Sequence, residues 1–257
     1  MSHRRKRILA AVALLLGACS AAGVLALGAR ARGGGSTIRR LQAKLRGVWY
    51  RLLGRTPLEV PGLADGITYA TPRCGRNPRR KHARLLSWPR REIWAPCGAV
   101  NVAIGKPVST SSDPELLLGF PSQVTDGHRG NSFYEWVELC PGLQYVQIDL
   151  ASSHRIYAIL VWHGCNASGQ DVHDDVIVQV ADDRSFTRGV RTLFNNDHDN
   201  SAGFGVGADP AYFETAWGLF VEARGVPGRY VRVYSNDTLS DVPNHFAEVE
   251  VYGVPGR

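Results

Sequence analysis

The chain has 257 residues, of which 44% are hydrophobic, and a formal net charge of +7. That size allows one good-sized domain with appendages or two small domains. The charge is segregated, because residues 1–95 carry 20 Lys and Arg against 3 Asp and Glu, while residues 96–257 carry 10 against 20. This argues against one folded body spanning the whole chain and predicts a basic N-terminal region joined to an acidic domain near residue 95.

Residues 1–32 have the pattern of a membrane anchor. A basic cluster at residues 4–7 precedes an uncharged run at 8–29, which is about as long as the hydrocarbon core of a bilayer requires. A lipoprotein signal is the alternative, since residues 16–19, which end in Cys19, resemble a bacterial lipobox. Both interpretations predict that the downstream domain is extracytoplasmic, because the basic cluster stays inside the cell.

Residues 33–95 form the predicted basic linker. Between residues 37 and 54 the apolar side chains recur at steps of three and four, which predicts a short basic amphipathic helix. Such a helix either lies on an anionic membrane surface or packs on the domain. The rest of the linker is typical of a solvated tether, and no nucleic-acid partner is expected because no recognition motif accompanies the basic charge.

Four cysteines remain once Cys19 is set aside, and an even number in an exported chain favours disulfides. Three connectivities are open. We prefer Cys74 with Cys97 and Cys140 with Cys165, because these pairs enclose the shortest loops. Zinc is not expected, since no two cysteines have C-x-x-C spacing.

From residue 100 onward, short apolar runs alternate with turn-forming residues. In residues 145–150, Val146, Ile148 and Leu150 alternate with Gln147 and Asp149, as in a strand with one buried face. Similar patterns occupy residues 156–162, 175–180, 229–234 and 246–252. Several strands spaced by turn-rich loops predict an all-β sandwich or jelly roll.

Five fragments of this region, in order, resemble the discoidin or coagulation factor V/VIII type C family. They are NVAIGKPVSTSSD at 101–113, VTDG at 124–127, YVQIDL at 145–150, RYVRVY at 229–234 and AEVEVYG at 247–253. The resemblance covers about residues 97–257. It implies an eight-stranded galactose-binding-like jelly roll over residues 96–257, whose rim loops contact glycans, phospholipids or protein partners.

The resemblance also implies a structural calcium ion held by Asp126 of the DG turn and by Glu248, together with backbone carbonyls. Calcium takes six to eight oxygen ligands, which such a loop can supply. The alternative is that Asp126 forms an Asx turn and Glu248 a surface pair. Asp197, in the polar segment 195–207, is a further candidate metal ligand, because that segment loosely resembles the start of a calcium loop.

A sugar site needs an aromatic platform with polar groups beside it. The candidate ligand-binding residues are Tyr134, Trp136, His163, His173, Asn196 and Asp199. We expect His163 and His173 to lie on an exposed rim, because they flank one loop. Trp162, at a strand end, is expected in the core.

The predicted function is that of an extracytoplasmic binding module for carbohydrate or cell-envelope glycan, and not that of an enzyme. A non-catalytic module for protein assembly in the envelope is the alternative. A metal-dependent hydrolase is a third reading, built on the His and Asp residues at 163, 173–175 and 197–199. No catalytic motif supports that reading.

Overall fold

The structure, a computed structural model, describes residues 48, 51, 54–57, 94–129, 135–163, 172–214, 218–236 and 244–256. Within these residues no helix has the length and hydropathy of a membrane span. The predicted anchor, residues 1–32, lies outside them. Of the predicted amphipathic helix, Val48 and Arg51 are described and are helical.

From residue 54 onward, strands and two short 3-10 helices make up the regular structure of the described residues. The strands are β1 (Arg55–Pro57), β2 (Trp94–Pro96), β3 (Val100–Asn101), β4 (Val108–Thr110), β5 (Val137–Glu138), β6 (Leu143–Trp162), β7 (Val172–His173), β8 (Ile177–Ala181), β9 (Arg191–Asn195), β10 (Tyr212–Phe213), β11 (Leu219–Asn236), β12 (His245–Phe246) and β13 (Glu248–Pro255). The 3-10 helices span Pro114–Leu116 and Pro121–Thr125. The prediction of an all-β domain is confirmed.

Two long antiparallel strands, β6 and β11, organise the sheet. They pair from Leu219 opposite Val161 to Asn236 opposite Leu143, with register shifts between Glu222 and Val226 and again after Gly228. The first half of β6 and the second half of β11 are extended sideways by β4, β8 and β9. The other halves are extended by β13 and β3. The sheet therefore has a five-stranded part, ordered β4-β6-β11-β8-β9, and a four-stranded part, ordered β3-β13-β6-β11.

One hydrophobic core lies between these two parts. Each half of β6 contributes to it, with Val146, Ile148 and Leu150 from the first half and Ile159 and Val161 from the second. Both halves of β11 also contribute, as do the inward residues of β8 and β13. Because both halves of a single strand bury side chains in the same core, the sheet folds over on itself into two facing layers.

The bends in the long strands lie where the backbone leaves the ordinary strand conformation. Ala151 has a φ of 70°, Arg224 a φ of 54° and Gly225 a φ of 84°. A Cβ on Gly225 would lie 3.1 Å from the ring of Tyr157, so a glycine there suits both the positive φ and the close packing.

The outward face of the four-stranded layer is also buried. Ala158, Leu160, Trp162 and Tyr252 form a second apolar cluster there with Trp136 and Ala247. Trp162 is thus a packed residue, as the sequence predicted. Glu248 and Glu250 lie on this same face and are buried as well, so the interpretation of Glu248 as a surface residue is wrong.

The two predicted disulfides are not supported. Cys97 and Cys140 are free thiols in the structure, and their predicted partners, Cys74 and Cys165, lie outside the described residues. Loop length alone does not determine whether two cysteines can form a disulfide, because the bond requires their backbones to lie close together in the fold.

We expect Ile159→Ala to lower the free energy of unfolding by about 3 kcal/mol, because it opens a cavity at a side chain that is fully buried between the layers. Denaturant unfolding measures this change. The matched control is Ile104→Ala, since Ile104 is 50% exposed and its truncation is expected to change stability by less than about 0.5 kcal/mol. Equal losses in the two variants would contradict the two-layer core.

Candidate functional site

The two residues expected to ligate calcium lie close together. Asp126 caps the 3-10 helix Pro121–Thr125, and the backbone N–H of Gly127 donates a 3.2 Å hydrogen bond to Oε2 of Glu248. The DG turn is therefore joined to the first residue of β13. The side chain of Asp126 also accepts a 2.8 Å hydrogen bond from the backbone N–H of His128, so the Asx turn is present beside the carboxylate pair.

The carboxyl group of Glu248 is buried with one oxygen unsatisfied. Its exposed fraction is 0%, and Oε1 has no hydrogen-bond partner. Burial raises the pKa of Glu248 to about 9, and the nearby charges of Glu250 and Asp126 act in the same direction, whereas the Gly127 hydrogen bond and Arg129 lower it. A buried acceptor without a partner is costly, and a bound cation would remove that cost. The residues present therefore fit a calcium ion.

The polar segment after β9 folds over the five-stranded layer and is held by its own side chains. Asn196 accepts a hydrogen bond from the N–H of Val176 and donates one to the carbonyl of His173. Asp197 accepts from the N–H groups of Ser201 and Ala202. Both side chains are fully buried, so the structure gives Asn196 and Asp197 the role of shaping this loop.

Three carboxylates meet in this loop. Oxygens of Asp175, Asp197 and Asp199 lie within 4.8 Å of one another. Burial raises the pKa of Asp175, while hydrogen bonds from the backbone and hydroxyl of Ser201 lower the pKa of Asp199. Asp199 is exposed, which makes it the predicted ligand-binding residue that the structure places at the surface.

An aromatic side chain lies in the same loop. Phe204 is 38% exposed, and its ring packs 4.4 Å from that of Tyr234. The hydroxyl of Ser201 donates to Asp175 and accepts from the side-chain amide of Asn236. We name this region the aromatic-acidic surface and define it by Asp175, Asp199, Ser201, Phe204 and Asn236. Phe204, Ser201 and Asn236 were not among the candidate ligand-binding residues predicted from the sequence, although the sequence shows an aromatic residue beside the acidic run.

The prediction that His163 and His173 are exposed is wrong. They are 1% and 3% exposed, and their rings stack with centroids 4.1 Å apart. His163 donates through Nδ1 to the carbonyl of His245 and accepts through Nε2 from the hydroxyl of Tyr212. Neither ring nitrogen of His173 has a hydrogen-bond partner, and its Nε2 lies 4.0 Å from Oε2 of the buried Glu214.

Burial lowers the pKa of His163 to about 4 and the pKa of His173 well below its ordinary value. Both rings are therefore neutral at physiological pH. They close one end of the core, against Tyr212 and Phe246.

The other predicted ligand-binding residues, Trp136 and Tyr134, are not on the aromatic-acidic surface as the structure describes it. Trp136 is 7% exposed and packs in the second apolar cluster, with its ring 5.3 Å from that of His245. Tyr134 lies outside the described residues. The residues considered for a metal-dependent hydrolase do not form one site. His163 and His173 pack in the core, whereas the aspartates lie in the polar loop. In the described part of the chain, the group of acidic and histidine side chains close enough to hold a metal contains the three aspartates and no histidine.

Comparisons with known proteins give structural matches alone. No family model matches the chain, and no curated protein matches its sequence. A fucose-binding module of Streptococcus pneumoniae is 18% identical, with a TM-score of 0.42 over 60% of this chain and 97% of that one. Chitosan-binding module 1 of a chitosanase/glucanase from Paenibacillus sp. IK-5 is 20% identical, with a TM-score of 0.40 over 60% and 99%.

An F-lectin from the serum of striped bass, Morone saxatilis, is 19% identical, with a TM-score of 0.44 over 63% of this chain and 50% of that one. These neighbours have the galactose-binding-like, discoidin-type fold that the sequence fragments resemble.

The buried histidines make stability depend on pH. In the unfolded chain each imidazole gains a proton below about pH 6.5, whereas the folded His163 stays neutral down to about pH 4. The contribution of His163 is thus fully present above pH 6.5 and is lost as the pH falls from 6.5 toward 4, by at most about 1.4 kcal/mol per pH unit. The contribution of His173 is lost in the same direction below pH 6.5, because burial lowers its pKa as well.

We therefore expect His173→Phe to flatten the slope of unfolding free energy against pH between 6.5 and 4.5 by up to about 1.4 kcal/mol per pH unit. Denaturant unfolding at several pH values measures the slope. The control is Phe194→Leu, because Phe194 is a buried core residue that carries no titratable group and its replacement should lower stability without changing the slope. A wild-type slope that His173→Phe does not alter would contradict the buried, neutral state of this ring.

Proposed function

We propose that the protein is a membrane-anchored, extracytoplasmic module that binds a glycan of the cell envelope or cell surface through the aromatic-acidic surface, and that a structural calcium ion at Asp126 and Glu248 stabilises its fold. Binding, and not catalysis, is the proposed role. The observation that carries the proposal is that one loop, held by buried polar side chains, presents both the exposed ring of Phe204 and the exposed carboxylate of Asp199.

The chemistry of this surface suits a sugar. A sugar ring offers an apolar face that packs on an aromatic ring and a rim of hydroxyls that need hydrogen-bond partners. Phe204 supplies the ring and is fixed from below by Tyr234. The linked side chains of Asp199, Ser201 and Asn236 supply acceptors and donors in the same surface region. Because the buried Asn196 and Asp197 hold the loop in place, little ordering is required when the ligand binds.

The calcium part of the proposal depends on Glu248. Its orphaned, fully buried Oε1 lies on a residue joined to the DG turn, where Asp126 supplies a second carboxylate. These two side chains would hold the ion, and turn carbonyls would complete a set of oxygen ligands. The ion would supply charge balance for the carboxylate of Glu248, which is removed from water.

A second candidate function, protein assembly, is favoured by a different observation. Leu116, Leu118 and Phe120 are 65%, 52% and 73% exposed within one short segment. Large apolar side chains in such exposure are typical of contact sites for other proteins. These side chains are separate from the aromatic-acidic surface in sequence, so variants of the two regions discriminate the two functions.

We expect Phe204→Ala to weaken glycan binding about tenfold, because it removes the stacking face, which is worth roughly 1.5 kcal/mol. The measurement is binding of the full-length protein, in a detergent without a sugar headgroup, to a panel of immobilised glycans, followed by titration with the best ligand. Asp199→Asn is also expected to weaken binding, because it removes the negative charge of a carboxylate that would accept hydrogen bonds from sugar hydroxyls.

The matched control is Phe120→Ala, which removes an equally large exposed ring elsewhere and should leave glycan affinity unchanged. Absence of binding by the wild-type protein to any glycan would contradict the proposal. Loss of a protein partner on Phe120→Ala, with no effect of Phe204→Ala on any ligand, would favour assembly instead.

We expect calcium to raise the thermal midpoint of the wild-type protein over that in chelator, because a ligand that binds only the folded state stabilises it. The stabilisation reaches about 2.7 kcal/mol when free calcium is a hundredfold above Kd. Glu248→Gln keeps the side-chain volume and should abolish the calcium response, whereas Glu115→Gln, at an exposed position, should keep it. An identical midpoint of the wild-type protein in calcium and in chelator would exclude the site.

A further inference from the structure

Glu248 and Glu250 lie on one face of β13 but differ in whether their carboxylate oxygens have hydrogen-bond partners. Both are buried, at 0% and 3% exposure, and both lie on the outward face of the four-stranded layer, since Val249 and Val251 face the core. Oε1 of Glu250 accepts from Nε and Nη2 of Arg129, and Oε2 accepts from the hydroxyl of Tyr252 at 2.8 Å. Glu250 is thus satisfied at both oxygens, while Glu248 keeps an unpartnered Oε1.

Arg129 comes from the DG turn itself, three residues after Asp126. Its side chain is 19% exposed, and the guanidinium lies 4.6 Å from the centroid of the Trp162 ring. The planar group is therefore held by stacking as well as by two hydrogen bonds to one carboxylate, a geometry that a lysine cannot reproduce.

The turn is consequently tied to β13 at two successive outward residues. The N–H of Gly127 bonds to Glu248, and the side chain of Arg129 bonds to Glu250. The positive charge of Arg129 pairs with Glu250, so the carboxyl groups beside the turn that remain for a cation are those of Asp126 and Glu248. Once both are ionised in the bound state, their two charges match one divalent cation.

We propose that Arg129 is the positioning residue of the calcium site: it pairs with Glu250, fixes the DG turn against β13 and leaves the buried carboxylate of Glu248 available to the cation. This inference rests on the calcium site of the proposed function. Arg129 is a positioning residue because it repels the cation and acts through Glu250 and the turn. A turn that is already fixed binds the ion without a further ordering cost.

Two variants test this in the full-length protein. Arg129→Lys keeps the charge but loses the two-point contact and the stacking on Trp162. Glu250→Gln keeps the shape but leaves the guanidinium without its counter-charge and free to compete for Glu248. We expect each to raise the calcium Kd about tenfold, as measured by titration calorimetry, and the double variant to raise it no more than the larger single effect, because both break one contact.

The control is Arg224→Lys, since Arg224 forms an exposed pair with Glu222 on β11 and should leave the Kd unchanged. Thermal unfolding in chelator accompanies each titration. A merely structural role would lower the midpoint in chelator and leave the calcium Kd within about threefold of wild type, and that result would overturn the inference while the calcium site stood. A wild-type protein that binds no calcium would overturn both.

Discussion

The structure depends on the pairing of β6 with β11 along nearly their whole length. Each strand crosses from one layer to the other, with the positive φ values of Ala151, Arg224 and Gly225 at the bends. Every other strand of the seven-stranded sheet is then an addition to an edge of this pair or to a strand already added. Because the two strands share both layers, burying apolar side chains on one side of each half encloses a single core.

This arrangement determines where the polar groups of interest lie. The proposed calcium ligand Glu248 is on the outward face of the four-stranded layer, at the strand that pairs with the second half of β6. The aromatic-acidic surface lies against Tyr234, on the outward side of the second half of β11 in the five-stranded layer. The two proposed sites therefore belong to different layers.

Buried polar side chains determine the backbone conformation of both the polar loop and the DG turn. Asn196 ties the polar loop to backbone groups of His173 and Val176. Asp197 satisfies N–H groups within the loop, and Arg129 satisfies Glu250 at the turn that carries Asp126. A buried polar group is stable only when its partners are in place, so each network fixes one loop conformation. The His163 and His173 pair packs in the core in the neutral state, because a charge there would lose its hydration.

The sequence by itself determined the class of fold and its strands. The alternation of Val146, Ile148 and Leu150 with polar residues identified a half-buried strand, and the ordered fragments from residue 101 to residue 253 placed Asp126 and Glu248 as a pair. What the tertiary structure decided is which polar residues are buried. His163 and His173 flank a loop in sequence, yet they stack inside, and Glu250 and Arg129 meet although 121 positions separate them. Alternation reports the two faces of a strand, but whether the outer face meets solvent or other side chains depends on contacts between distant segments, which no local pattern records.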